Sequence, residues 1–324
     1  MTKWSAVIPF NPVATPRPNW TVKDTKSGKK VITYYKSEYK DYLESIKKQL
    51  IDDNLYDRNF NTVVNSEYGV IANIIFYIGV PDSVKRITKI THTYKPDIDN
   101  LIKAIFDGIF NGLRVKDSRI VGVKALKIKT LEHPRTEISL MGLEDLQNEI
   151  NAEPISREVD KVLTKVQEEN VFNWTAVFPF APMATPRPYI TFRKVGVDIN
   201  GKNKYKKHTY NSPKYEQYLH TMDEFLRDAG LYNEDLSKVV NSEYGVIAKV
   251  NFYCKVPKNQ RVIRKIMKTT APDIDNLLKA VLDGIFNNLV EDDSRVVGVQ
   301  ALKLNEIESP RTEITLSGLT SLVV

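Results

Sequence analysis

A short acidic motif, Asp-Ile-Asp-Asn, occurs at residues 97–100 and again at 273–276, and a further aspartate follows each copy of it. Ionised carboxylates offer only acceptor oxygens. Clusters of them suit Mg²⁺, a hard cation that prefers oxygen ligands, keeps several waters and often binds together with a phosphate. The candidate metal ligands, for Mg²⁺ or for Mn²⁺ as a substitute, are Asp97, Asp99, Asp117, Asp273, Asp275 and Asp293.

The spacing within each motif restricts where its two aspartates can stand. Residues two apart on a regular helix point in directions roughly 200° apart, so Asp97 must precede or cap the helix that contains Asp99 if both are to face one ion. A helix N-terminus also favours anions. Asp117 lies beyond this helix, near the start of the next strand, from which the chain can return to the same edge. We therefore expect the three aspartates of one copy to meet.

A lysine accompanies each motif. Lys103 lies between Asp99 and Asp107 at helical spacing, so the three side chains share one helix face, and Lys279 is its counterpart in the second copy. A lysine beside a carboxylate site can stabilise the charge that grows on a phosphate as its ester breaks. A simpler interpretation stays open, in which Lys103 only pairs with Asp99 and Asp107 and the carboxylates cap helices.

Basic residues surround both motifs, in two Lys-rich hairpins, in Pro-Arg-Pro segments and in the loops before each motif. Such a composition is typical of surfaces that bind phosphates, although solvated hairpins and a structural turn at Pro-Arg-Pro remain alternatives. The candidate DNA-binding residues are Arg17, Lys23, Lys26, Lys29, Lys30, Lys85, Arg86, Arg187, Arg193, Lys194, Lys202, Lys204, Lys206, Lys207, Arg261, Arg264 and Lys265.

The motifs repeat because the whole first half of the sequence repeats. The segments 7–10, 14–18 and 63–71 recur at 177–180, 184–188 and 239–247, the signature of a duplicated unit. We predict a first copy at 1–143, an acidic and partly helical linker at 144–171, and a second copy at 172–324.

Hydrophobic periodicity predicts the same elements in each copy. In the first copy these are a strand at 4–9, a hairpin at 20–35, a helix from Ser37, a strand at 69–80, a helix after Asp97, and strands at 120–128 and 136–140. Strands and helices in this order indicate an α+β fold, two tandem copies of a small mixed-sheet domain with two helices each.

Composition excludes several classes of protein. The chain has 324 residues, 42% of them hydrophobic, a net charge of +7 and one cysteine, Cys254. A single thiol excludes an internal disulfide and a thiolate metal site, and the longest apolar stretch, Val70 to Val80, is far below the roughly 20 residues of a membrane span. We therefore expect a soluble, cytoplasmic protein without a membrane partner.

The combined pattern is specific enough to suggest a family. Residues 95–103, KPDIDNLIK, with Asp107 and Lys116-Asp117, resemble the RusA family of Holliday junction resolvases, and the second copy is similar through residues 272–279, PDIDNLLK, with Asp283 and Asp292-Asp293. The resemblance implies a crossover junction endodeoxyribonuclease that resolves four-way DNA junctions by paired, Mg²⁺-dependent nicks. It also implies that the six aspartates bind metal and that Lys103 and Lys279 assist.

Members of that family are typically homodimers, whereas this chain holds both copies. The resemblance thus implies an intramolecular pseudo-dimer, with further self-association left open. The copies differ in charge, because Lys116 stands where the second copy has Asp292, and Lys95 where it has Ala271. Replacing an acid with a cation should weaken metal binding in the first copy, so we expect the two strands to be cut at unequal rates.

Two further functions stay open on the sequence alone. The runner-up is a DNA-binding module that recognises junctions or forks without cutting them. A metal-dependent phosphohydrolase acting on nucleotides would need a small closed pocket, which the long basic hairpins speak against.

Overall fold

The structure, a computed structural model, describes residues 2–25, 28–144, 172–197, 203–257, 259 and 262–320. The predicted linker helix lies outside these residues, as do three of the candidate DNA-binding residues, Lys26, Lys202 and Arg261.

Each copy contains the same series of elements. The first copy comprises β1 (Lys3–Ile8), β2 (Asn19–Thr25), β3 (Gly28–Tyr34), α1 (Ser37–Asp52), α2 (Arg58–Val64), β4 (Val70–Gly79), α3 (Ile98–Phe110), β5 (Ile120–Thr130) and β6 (Arg135–Gly142). The second comprises β7 (Phe172–Phe178), β8 (Tyr189–Val197), β9 (Asn203–Tyr210), α4 (Pro213–Asp228), α5 (Glu234–Val240), β10 (Val246–Lys255), α6 (Ile274–Phe286), β11 (Val296–Glu306) and β12 (Arg311–Gly318). A short 3-10 turn precedes β5 and another precedes β11, at Asp117–Arg119 and Asp293–Arg295.

One sheet runs through both copies. Its eight strands have the order β1-β6-β4-β5-β11-β10-β12-β7. The β4–β5 and β10–β11 pairs are parallel and the other pairs are antiparallel. A mixed sheet with helices confirms the predicted α+β class and the two-copy organisation.

The copies join where β5 lies antiparallel to β11. In this seam Gly122 pairs with Leu302 and Gly298 pairs with Leu126. Helices α3 and α6 pack against each other, and each also contacts the seam strand of the other copy. Most of the buried apolar side chains of both copies consequently form one continuous core.

The prediction of two helices per copy is wrong, because the described residues of each copy contain three. The additional helices, α2 and α5, are only 7 residues long, too short for a hydrophobic period to become apparent. Each begins at a capping side chain: Asp57 accepts from the Phe60 N–H and Asn233 accepts from the Leu236 N–H.

The β2–β3 and β8–β9 hairpins each form a separate two-stranded sheet. They lie close to each other, since the rings of Trp20 and Phe192 have centroids 4.4 Å apart. Among the described residues, no helix is both long and apolar enough to cross a membrane.

Candidate active site

The six candidate aspartates form two clusters, and each cluster draws on both copies. Site A contains Asp97, Asp99 and Asp293, and site B contains Asp117, Asp273 and Asp275. Within each site, one carboxylate oxygen from each residue lies within 4.8 Å of the others. Each pair of aspartates at a helix start is thus completed by the third aspartate of the opposite copy.

The expectation that Asp117 meets the aspartates of its own copy is therefore wrong, and the seam explains why. Because Gly122 pairs with Leu302, the turn that precedes β5 lies beside the later half of β11. The segment leading to Asp273 runs over that same half of β11, where the Lys268 N–H donates to the Lys303 carbonyl over 3.1 Å. The start of β5 therefore meets the start of α6, not that of α3.

The expected placement of Asp97 ahead of the helix is confirmed. Asp97 is the N-cap of α3 with an extended backbone (φ −71°, ψ 143°), and Asp99 lies in the first turn. The Asn100 side-chain amide donates to Asp97 over 3.2 Å, and the Asn100 carbonyl accepts from the Thr15 N–H over 3.0 Å. The loop before Arg17 is thereby hydrogen-bonded to the first turn of α3.

The two lysines also reach across the seam. Lys279 Nζ lies 3.3 Å from Asp99 Oδ2 in site A and 3.4 Å from Asp283 Oδ1 on its own helix. Lys103 Nζ lies 3.2 Å from Asp275 Oδ2 in site B. Lys103 therefore does not pair with Asp99, as the simpler sequence interpretation had it, although it does lie 3.9 Å from Asp107.

Burial and crowding of like charges perturb the carboxyls. Burial, with Asp99 and Asp97 adding to it, raises the pKa of Asp293 to about 7. Burial, with Asp273 and Asp275 adding to it, raises the pKa of Asp117 to about 6. Without a cation, each site therefore retains a proton well above the usual range of an aspartate.

The lysines respond in the opposite sense. Burial alone would lower the pKa of Lys279, but Asp99 and Asp283 raise it above its usual value. Burial likewise works against Lys103, whose pKa Asp275 and Asp107 raise. Both ammonium groups remain charged at neutral pH and offset part of the negative charge of the sites.

The donor atoms fit a hard divalent cation. Asp99 and Asp275 are each only 2% exposed. One oxygen of each, together with Asp97 Oδ1, is buried and lacks a hydrogen-bond partner among the described residues. A buried carboxylate oxygen without a donor is costly, and an ion held by three carboxylates would satisfy it. The six aspartates are thus suited to hold divalent metal ions.

Two buried lysines beside the sites were missed by the sequence analysis. Lys127 on β5 and Lys303 on β11 are both 0% exposed, and burial lowers the pKa of each to about 8. The available signal was a lysine at the same place in the seam strands of both copies.

The Pro-Arg-Pro arginines lie beside the two sites. Both are exposed. Burial raises the pKa of Asp283, near site A, and the charge of Arg17 is close enough to oppose that rise. Arg187 has the same relation to Asp107, near site B.

The other basic candidates have varied surroundings. Arg193 and Lys206 are exposed and paired across the β8–β9 hairpin, and Lys85, Arg86 and Arg264 are exposed in loops. Lys265 instead lies 3.1 Å from Glu67 of the other copy, an ion pair between the copies. The backbones of the remaining candidates lie on the hairpin strands β2, β3, β8 and β9, namely Lys23, Lys29, Lys30, Lys194, Lys204 and Lys207.

A family model matches each copy of the chain. The family model described as endodeoxyribonuclease RusA matches residues 9–141 and 179–317. No curated protein matches the sequence.

The composite sites can be tested by pairing substitutions in two ways. Asp99→Asn with Asp293→Asn alters site A alone, whereas Asp99→Asn with Asp117→Asn alters both sites. We expect the first variant to retain one tight Mn²⁺ ion, counted by electron paramagnetic resonance, and the second to retain none. If the ligands were grouped within each copy, the two results would be exchanged.

Metal affinity should depend steeply on pH. Because the pKa values of Asp293 and Asp117 are raised from 3.8 to about 7 and about 6, a proton competes with the ion. Mg²⁺ affinity should fall about tenfold per unit below pH 6. Ionising these groups also makes the metal-free fold less stable as the pH rises through 7, so Mg²⁺ should raise the melting temperature more at pH 8 than at pH 5.

Calorimetric titrations in buffers of different ionisation enthalpy would count the protons released on binding. An affinity independent of pH between 5 and 8 would contradict the raised pKa values.

Proposed function

We propose, from the premise that the chain belongs to the RusA endodeoxyribonuclease family, that it is a Mg²⁺-dependent endonuclease which resolves four-way DNA junctions by paired nicks. It would act in the cytoplasm of a bacterial or phage-infected cell.

The observation that carries this proposal is the presence of two equivalent carboxylate clusters in one chain. A four-way junction is resolved by cutting two symmetry-related strands, and the pseudo-symmetry of the copies supplies one cluster for each strand. Since the chain contains both copies, the proposal needs no second subunit.

The chain's residues have distinct roles in this proposal. Mg²⁺ held by the aspartates would activate water and stabilise the developing charge on the leaving oxygen. Lys279 Nζ uses two of its three hydrogens on Asp99 and Asp283, so a third remains to contact a phosphate oxygen. Lys103 takes the same position in site B through Asp275. These ammonium groups would counter the charge that grows on the phosphate.

Phosphate contacts outside the clusters would hold the DNA. Arg17 and Arg187, on loops beside the two sites, are exposed cations that would take this role. The neighbouring hairpins carry further lysines and one arginine, Arg193, and their contact through Trp20 and Phe192 would make them one basic surface. Contacts to phosphates position a substrate without reading its sequence, which suits recognition of a junction by shape.

Cleavage of a labelled synthetic junction tests the proposal. The chain should nick the junction with Mg²⁺ and not with EDTA, and should leave a linear duplex of the same sequence intact. Asp99→Asn with Asp275→Asn, one substitution in each site, should lower the rate at least about 100-fold. Junction binding without nicks under Mg²⁺ or Mn²⁺ would instead favour the non-cleaving binding module.

The flanking charges of the two sites differ. They favour weaker metal binding at site B, which contains the aspartate pair of the second copy, whereas the sequence analysis expected weaker binding in the first copy. Asp292, beside Asp293 of site A, forms an ion pair with Lys95 over 3.8 Å. Lys116 is exposed beside Asp117 of site B. The residue that corresponds there to Lys95 is Ala271, which has no charge to balance that of Lys116. The charge of Lys116 therefore weakens metal binding at site B.

This difference can be measured in chains that keep one intact site. A chain with only site B should need about 3- to 10-fold more Mg²⁺ for half-maximal nicking than a chain with only site A. Lys116→Asp should remove most of this difference, whereas Lys48→Asp, the same charge change on the exposed face of α1, should not. Equal Mg²⁺ requirements in the two single-site chains would disprove the inequality.

A further inference from the structure

We propose that Lys127 and Lys303 are positioning residues, each of which ties the aspartate pair of one copy to the third aspartate of the other. Each would thereby set the spacing of the ligands in one site. The inference rests on the proposed metal-binding role of sites A and B.

Lys127 connects backbone on both sides of site A. Its ammonium group donates to the carbonyl oxygens of Tyr94 over 2.9 Å, Pro96 over 2.8 Å and Ser294 over 2.8 Å. Pro96 directly precedes Asp97 in the first copy, and Ser294 directly follows Asp293 in the second. One side chain thus fixes the distance between the two parts from which site A is assembled.

Lys303 repeats the arrangement at site B. It donates to the carbonyl oxygens of Thr270 over 3.1 Å, Pro272 over 2.8 Å and Ser118 over 2.7 Å. Pro272 directly precedes Asp273, and Ser118 directly follows Asp117. The same bond pattern is thus present at both sites of the duplicated chain.

Core packing does not explain these lysines. Burying an ammonium group is costly unless its hydrogens are all bonded, and an apolar side chain of similar volume would fill the seam without that cost. Three convergent carbonyls match the three hydrogens. The carbonyls belong to the segments that carry the metal ligands, so the bonds hold backbone whose position matters for the ion.

Removing one lysine should consequently affect one site and spare the other. Site A alone is intact in Asp273→Asn with Asp275→Asn, and site B alone in Asp97→Asn with Asp99→Asn. Adding Lys127→Met to the first chain should weaken Mn²⁺ binding about 10-fold or more, the usual effect of losing support behind a ligand. Its matched control in that chain is Lys303→Met, an identical change in an equally buried position, which should alter the affinity less than about twofold.

The chain with site B alone should show the reverse pattern. Equal losses from both substitutions in either chain would indicate a general role in the seam and overturn the proposal, as would no loss from either. The melting temperature of each variant distinguishes a positioning role from a purely structural one. A purely structural role would lower the melting temperature without weakening Mn²⁺ binding at one site more than at the other.

A second measurement leaves both lysines in place, in case the Met variants do not fold. Buried, hydrogen-bonded ammonium groups are observable by ¹⁵N-edited NMR of lysine side chains. Mg²⁺ should shift one of the two buried signals in the chain with only site A and the other in the chain with only site B. Movement of both signals in each chain, or of neither, would overturn the proposal.

Failure of this inference differs from failure of the proposed function. If the unaltered chain binds no Mn²⁺, the metal-dependent nuclease itself is wrong. If it binds Mn²⁺ and nicks junctions while Lys127→Met binds as tightly as its control, only the positioning role is wrong.

Discussion

The antiparallel pairing of β5 with β11 is the constraint on which the rest of the molecule depends. These strands would otherwise be open edges, each a row of unpaired backbone groups. Their pairing continues one sheet through both copies and fixes the register that brings each 3-10 turn to the opposite copy's helix. A shift of one residue would turn the side chains at the seam to the other face of the sheet, and the two carboxylate clusters would lose their third members.

The same pairing determines how the charge of the sites is tolerated. Burial, together with the mutual repulsion of three carboxylates in each cluster, raises the pKa of Asp293 and of Asp117. Lys279 and Lys103 offset part of that repulsion from across the seam. Each copy therefore supplies both charge and countercharge to the other's aspartate pair, and a copy separated from its partner would keep two aspartates without their lysine.

A sequence pattern predicts contacts between residues that are close along the chain better than contacts between distant segments. The position of Asp97 at a helix start follows from its spacing to Asp99, and the mixed-sheet fold follows from hydrophobic periodicity. The structure confirms both predictions. The partner of Asp117 depends on the register of β5 with β11, which local periodicity does not contain. In a duplicated chain, grouping within a copy and grouping across copies also use the same residue types, so the motif alone cannot distinguish them. Lys127 escaped notice because its role lies in three backbone carbonyls, which have no sequence signature.

A tandem of this kind evolves under a different constraint from a homodimer. In a homodimer every substitution enters both sites, whereas here Lys116 and Asp292 give the two turns opposite charges. The copies are nevertheless not independent, because site A needs Asp293 from the second copy and site B needs Asp117 from the first. Degeneration of either copy would remove carboxylates from both clusters. The seam thus permits the two sites to differ in strength while it prevents either copy from becoming dispensable, so the smallest unit that contains one complete site is the whole tandem.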